Sequence, residues 1–270
     1  MRLLVASEPS DADKANEDWF AALPNLVVVL DGATARTETG CIHGVSWYAA
    51  QLGAAITSHA SEDEITLPAA LAAAIETVAG KHQECDLTSA GTPSAAVAIL
   101  RRTRSHLEYL VLGDVSVVFA SDSTLEVIID DRVDKTAQVE RRAADAYPIG
   151  SQEKAEALIR MKHAELAARN TPGGFWVSAA DPTVVSHAIV GAVPLADVTR
   201  SIVLTDGAAR LVRMFNEVSW QGLLDMVESQ GPSEVLRRVR QLEMNDPLGS
   251  RWPRNKQSDD ATIVYIADHR

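Results

Sequence analysis

Apolar positions along the chain fall into two kinds of block: short runs rich in β-branched residues, and stretches where they recur every three or four positions. Residues 25–30, Asn-Leu-Val-Val-Val-Leu, lie between Pro24 and Asp31-Gly32 and predict a buried strand. Residues 3–6 predict a shorter first strand. Val45, Tyr48, Ala49, Leu52 and Ile56 are spaced as on one face of a helix over 43–59. Thr66-Leu67-Pro68 opens a second, Ala-rich helix reaching residue 81, with proline at an early position where its missing N–H costs nothing. Four β-rich segments follow at 94–100, 106–113, 115–121 and 125–130, and the polar turns between them predict an antiparallel meander.

The texture then turns charged and Ala-rich over 135–169, which predicts two helices broken at Tyr147-Pro148-Ile149-Gly150. Further strands are expected at 173–179, 186–193 and 201–205, and helices at 208–215, 220–229 and 233–244. A Pro-, Gly- and Arg-containing loop at 246–256 precedes a last strand at 261–267. Strands and helices cluster in blocks instead of alternating strictly, which favours an α+β fold over a doubly wound parallel sheet. No repeat, low-complexity tract or linker divides the chain, so a single domain over 1–270 is expected.

Composition narrows the function classes. The net charge of −12, with 37 acidic against 25 basic residues, argues against nucleic-acid binding, which draws its affinity from neutralising phosphates. The apolar run near the start spans only about four residues, too short for a signal-peptide core. No stretch approaches the roughly 20 apolar residues of a membrane span. The two cysteines, Cys41 and Cys85, lie in no zinc-like spacing and are expected to be reduced thiols of a cytoplasmic protein, although a disulfide between them stays open.

Acidic residues at strand ends carry the candidate chemistry. Glu17-Asp18 precede the 25–30 strand and Asp31 ends it. Asp114 sits in a hairpin turn, Asp206 follows Ile-Val-Leu-Thr, and Asp259-Asp260 precede the last strand. Gly32, Gly113 and Gly207 adjoin three of them. Each Asp-Gly alone is an ordinary turn pair. As a set they match hard divalent cations, which take carboxylate and carbonyl oxygens and relieve the repulsion among clustered carboxylates.

The set resembles the metal-dependent, type 2C serine/threonine protein phosphatase family in its bacterial-type form. The resemblance rests on Asn16-Glu17-Asp18, Asp31-Gly32, Gly91-Thr92, Gly113-Asp114, Asp206-Gly207 and Asp259-Asp260-Ala261-Thr262, in the family's order and across nearly the whole chain. It implies a two-sheet antiparallel β-sandwich flanked by helices on both sides, in four layers. It further implies two Mn²⁺ or Mg²⁺ ions and a weaker third: Asp31 bridging two ions, the Gly32 carbonyl on one of them, Asp206 and Asp259 completing the other, Glu17 acting through water, and Asp114 serving the third. Asp31, Asp206 and Asp259 are thus the catalytic candidates. The implied activity is hydrolysis of phosphoserine or phosphothreonine in a phosphorylated protein by a metal-bridging water, by a protein expected to be a monomer. Where the family often carries a phosphate-binding Arg stands Asp13, leaving Lys14 and Arg36 as the candidate phosphate ligands. The family's occasional general-acid His after Asp-Gly is Ala33 here, and His43 is read as structural. The missing Arg supports the alternative of a catalytically weak or inactive regulatory module. A haloacid-dehalogenase reading fails because Val29 stands where its nucleophilic Asp would be. No G-x-S-x-G, H-E-x-x-H or phosphate-binding glycine loop occurs.

Overall fold

The computed structural model describes residues 2–121 and 123–267. Strand β3 (Leu26–Gly32) is the Val/Leu run of the sequence, and its lack of alternation has a direct cause. Side chains of a strand point alternately to opposite faces. Here both faces are covered: Val27 and Val29 join the core between the two sheets, while Leu26, Val28 and Leu30 join a core against helices. Such a strand has no solvent face on which to place polar residues.

β3 belongs to a five-stranded sheet ordered β2 (Trp19–Ala22), β3, β4 (Ala95–Arg102), β5 (His106–Leu112) and β8 (Ile189–Pro194). The second five-stranded sheet runs β1 (Arg2–Glu8), β10 (Ala261–Ala267), β9 (Arg200–Leu204), β6 (Ser116–Ala120) and β7 (Leu125–Ile128). Every pairing is antiparallel. Val27, Val29, Ala98, Val111, Val117, Val203 and Val264 fill the space between the sheets. Helices α1 (Val45–Ala60) and α2 (Leu67–Ala79) cover the outer face of the first sheet through Leu52, Ile56, Leu71 and Ile75. On the other side α5 (Asp206–Arg213), α6 (Trp220–Gln230) and α7 (Pro232–Asn245) cover the second through Leu211, Leu223, Val235 and Val239. The fold is thus α+β, helix–sheet–sheet–helix, as expected.

The helices α3 (Gln138–Asp145) and α4 (Gln152–Ala168) stand apart from these layers. They form a hairpin with a small core of their own, made of Ala144, Ala157, Leu158 and Met161. Ser151 caps α4 by accepting from the Lys154 N–H at 3.1 Å.

Two expectations fail locally. Residues 173–179 are not a strand; Phe175 and Ser178 make only single bridges, to Arg169 and Ala95. The apolar Phe-Trp-Val run is there to pack, with Phe175 and Val177 buried, but Pro172-Gly173-Gly174 turns the chain too tightly for a continuous ladder. The 186–193 expectation is shifted: a 3₁₀ turn over Pro182–His187 precedes β8. Strand β2, four residues on a sheet edge, gave no periodic signal. Part of the polar turn expected between β6 and β7, Asp122, lies outside the described residues.

Candidate metal and phosphate site

Antiparallel pairing brings the acidic strand ends to one end of the sandwich. Asp31 is opposite Ala96 near the start of β4, and Leu204, the last residue of β9, lies between Ile263 and Ser116. The residues just beyond these positions are Asp206, Asp259 and Asp114. With Asp31 they line a single open cavity of about 430 Å³, together with Gly32, Thr34, Arg36, Lys162 and Lys256.

Close backbone contact fixes the acidic loops, and glycine permits it. A Cβ on Gly207 would lie 2.0 Å from the Asp260 carbonyl oxygen, and one on Gly32 would lie 2.5 Å from that of Glu17. Thr205, fully buried, donates its hydroxyl to Asp18 Oδ2 at 2.8 Å and accepts from the Thr262 N–H at 3.0 Å. Asp260 accepts from the backbone N–H groups of Ser10 and Glu17, both at 2.6 Å. The Asp206 N–H, at the start of α5, donates to Asp31 Oδ2 at 3.1 Å. Three loops distant in sequence are thereby tied into one floor.

Electrostatics mark this floor as a place for cations. Burial, then the charges of Asp206, Asp18 and Asp114, holds the Asp31 carboxyl well above the usual range. Burial and Asp259 raise Asp206, and burial and Asp206 push Asp114 up to about 7. Asp18 is likewise raised well above its usual value by burial, and its Oδ1 has no hydrogen-bond partner. Asp259 differs. Its Oδ1 pairs with Lys256 Nζ at 2.5 Å and its Oδ2 with Arg210 at 2.8 Å. Arg210 also pairs with the fully buried Glu243 at 2.6 Å. Lys256 further donates to Thr34 Oγ1 at 2.9 Å, and Thr34 donates to Glu17 Oε2 at 2.6 Å. Burial opposes the lysine's charge, but Asp259, Asp206 and Asp31 outweigh it and raise its pKa. Arg36 and Lys162, by contrast, are lowered by burial.

No protein-family model and no curated protein sequence matches the chain. Solved structures do. The catalytic domain of the serine/threonine protein phosphatase PstP, in complex with two manganese ions, aligns over 98% of this chain and 96% of its own, with TM-score 0.57 and 17% identity. The serine/threonine phosphatase Stp1 from Staphylococcus aureus aligns over 98% and 94%, with TM-score 0.59 and 14% identity. The phosphatase MsPP from Mycobacterium smegmatis, in complex with cacodylate, covers 99% and 98% at TM-score 0.57 and 17% identity. The chain has the type 2C phosphatase fold.

On that fold the sequence-nominated residues separate. Asp31, Gly32, Asp114, Asp206, Asp259 and Arg36 line the cavity. Glu17 reaches its edge through Thr34. Lys14 does not line it; its side chain is 73% exposed and pairs with Asp11 at 3.7 Å, so Lys14 is not placed to hold a phosphate there. The cavity cations overlooked in the sequence are Arg141, Lys162, Arg210, Arg213, Arg254 and Lys256. Arg210 follows Asp206 by four residues on α5, a spacing that puts both on one helix face and was readable in advance. Lys162 sits on α4, whose sequence carries no motif, and gave no such sign.

The donor set of Asp31, Asp114 and Asp206 fits a hard divalent ion: half-buried carboxylates whose pKa values are raised by burial and by one another's charges, facing an open cavity. Asp259 fits it less freely, because Lys256 and Arg210 already hold its two oxygens.

Proposed function

We propose that the protein is a metal-dependent phosphomonoesterase acting on phosphoserine or phosphothreonine in proteins, with the whole chain serving as one catalytic unit. The observation that carries this reading is the convergence of Asp31, Asp114 and Asp206 on one cavity that also holds Arg36, Lys162 and Lys256. Asp31, Asp206 and the Gly32 carbonyl would hold the principal Mn²⁺ or Mg²⁺, with Asp114 serving a further ion. When bound, the ions supply an activated water and neutralise developing phosphoryl charge. The chain's own part is to bind and orient the phosphate. Arg36 and Lys162 are cations kept partly dehydrated by burial, and their attraction for a phosphoryl group is correspondingly less screened. The α3–α4 hairpin contributes Arg141, Met161 and Lys162 to the same wall, where the residues flanking the phosphorylated side chain would lie. The manganese ions of PstP and the phosphatase names of the neighbours support this reading. It places the protein in the cytoplasm as a monomer. No helix among the described residues is long and apolar enough to cross a membrane.

A second reading, a regulatory module with little or no turnover, is favoured by one observation. Asp259, the third carboxylate such a centre would use, is engaged at both oxygens by Lys256 and Arg210. Hydrolysis of p-nitrophenyl phosphate with and without Mn²⁺, alongside a phosphothreonine peptide, separates the two. The enzyme reading expects Mn²⁺-dependent turnover that falls at least 100-fold in Asp31→Asn and Asp206→Asn. Turnover indifferent to both substitutions would remove the site assignment. No turnover on either substrate would leave the regulatory module.

A further inference from the structure

The two cysteines, far apart in sequence, meet at the far end of the α1–α2 pair. Cys41 lies in the loop before α1 and Cys85 in the turn after α2, and the backbones of these loops join where the Asp86 N–H donates to the Gly40 carbonyl at 2.8 Å. Both thiols are free, and their sulfurs are 3.5 Å apart. His82, three residues before Cys85, completes the group: one donor atom from each of Cys41, His82 and Cys85 lies within 4.8 Å of the others.

The histidine decides what this group is for. The residue is 4% exposed, and Nδ1 lies 2.9 Å from the Val78 carbonyl, which can only accept, so Nδ1 carries a proton. Nε2 then keeps its lone pair, and that buried nitrogen has no hydrogen-bond partner. Leaving a buried polar atom unpaired opposes folding unless something occupies its lone pair. An imidazole whose other nitrogen donates to a backbone carbonyl is the usual form of a metal-binding histidine. The sulfur spacing agrees. Two sulfurs bound to one zinc at about 2.3 Å in tetrahedral geometry lie about 3.8 Å apart, close to the observed 3.5 Å. A disulfide needs about 2.05 Å and would still leave His82 Nε2 without a partner. The rings of His43 and Trp47 wall the site, 5.3 Å and 4.9 Å from the His82 ring between centroids.

We propose that Cys41, His82 and Cys85 bind a thiophilic divalent ion, zinc by its chemistry, which staples the loop before α1 to the turn after α2. The site is separate from the carboxylate cavity in both place and ligand type. Two thiolates and an imidazole select a soft or borderline ion, whereas Asp31, Asp114 and Asp206 select a hard one. The staple also bears on the cavity's rim. The turn after α2 continues into Ala90 and Thr92, whose carbonyls are held by Arg169 at 2.7 and 2.8 Å, and the Ser94 carbonyl accepts from the Ala33 N–H at 2.9 Å.

Cobalt substitution tests the site without depending on phosphatase turnover. Metal-free, reduced full-length protein is titrated with Co²⁺ while absorption is recorded. One equivalent should give the thiolate-to-cobalt charge-transfer band together with the strong visible bands of a tetrahedral ion, and Zn²⁺ should displace both. Oxygen ligands cannot produce the thiolate band, so it should persist in Asp31→Asn whatever becomes of the carboxylate centre. It should vanish in Cys41→Ser and Cys85→Ser, and His82→Gln should weaken binding at least tenfold, with circular dichroism reporting that each variant is folded. Absence of the thiolate band in the wild-type protein, or recovery of a Cys41–Cys85 disulfide from cells lysed into a thiol-blocking reagent, would overturn the assignment.

Discussion

Lys256 is the residue on which the acidic floor turns. Its ammonium lies 2.5 Å from Asp259 and feels Asp206 and Asp31 strongly enough to raise its pKa despite burial. A divalent ion taking Asp259 as a ligand, as the proposed function requires, would compete with this lysine. Lys256→Gln keeps most of the side chain's volume and removes the competing charge, so Mn²⁺ should bind several-fold more tightly, as read by isothermal titration calorimetry. Unchanged or weaker binding would mean that the lysine helps hold the centre together. Little of this was visible in the sequence. The carboxylates announced themselves as Asp-Gly at strand ends, whereas Lys256 lies in a Pro- and Arg-containing loop where a cation is ordinarily solvated, and only folding places it beside Asp259. Lys14 shows the converse: it adjoins Asp13 in sequence, yet its side chain is turned to solvent and pairs with Asp11. The cysteines are the same lesson again, since 44 positions separate two sulfurs that the fold sets 3.5 Å apart.

Among the elements, the junction of β9 with α5 is tightly constrained. Gly207 sits against the Asp260 carbonyl with no room for a Cβ. Gly207→Ala must displace the loop bearing Asp259 and Asp260, and overpacking of this kind typically costs about 1–3 kcal/mol. Urea denaturation should show that loss, and Mn²⁺ affinity should fall with it. If stability is lost and metal affinity kept, the loop is not part of the centre. Elements buried on two faces were the most readable in the sequence: β3, β4 and β10 each carry an apolar run without alternation because helices and the opposite sheet both press on them. Edge elements were read unevenly: β1 and β7 showed as apolar runs at 3–6 and 125–130, whereas β2 did not. The four-residue β2 lacks length for a period to register, and the apolar 173–179 segment is held by packing instead of a ladder.

Across the whole molecule, the sandwich spends part of its stability on holding carboxylates together. Asp31, Asp114 and Asp206 have folded-state pKa values above their unfolded ones, so they favour folding when protonated and oppose it once ionised. The melting temperature of the metal-free protein should therefore decline as pH rises from about 4 through about 7, the value reached by Asp114. Saturating Mn²⁺ should reverse the decline, by preferential binding to the folded form. A metal-free melting temperature that rises across that interval would contradict the picture of mutually repelling acids. The α+β class was legible from block-wise clustering of strands and helices, whereas the layered sandwich was implied only by the resemblance that the acidic motifs carry. The α3–α4 hairpin obeys a different rule. It forms one wall of the cavity yet keeps a private core of Ala144, Ala157, Leu158 and Met161, outside the cores that bind helices to sheets. A substitution inside that small core should therefore loosen this wall alone and leave the packing of helices on sheets as it is.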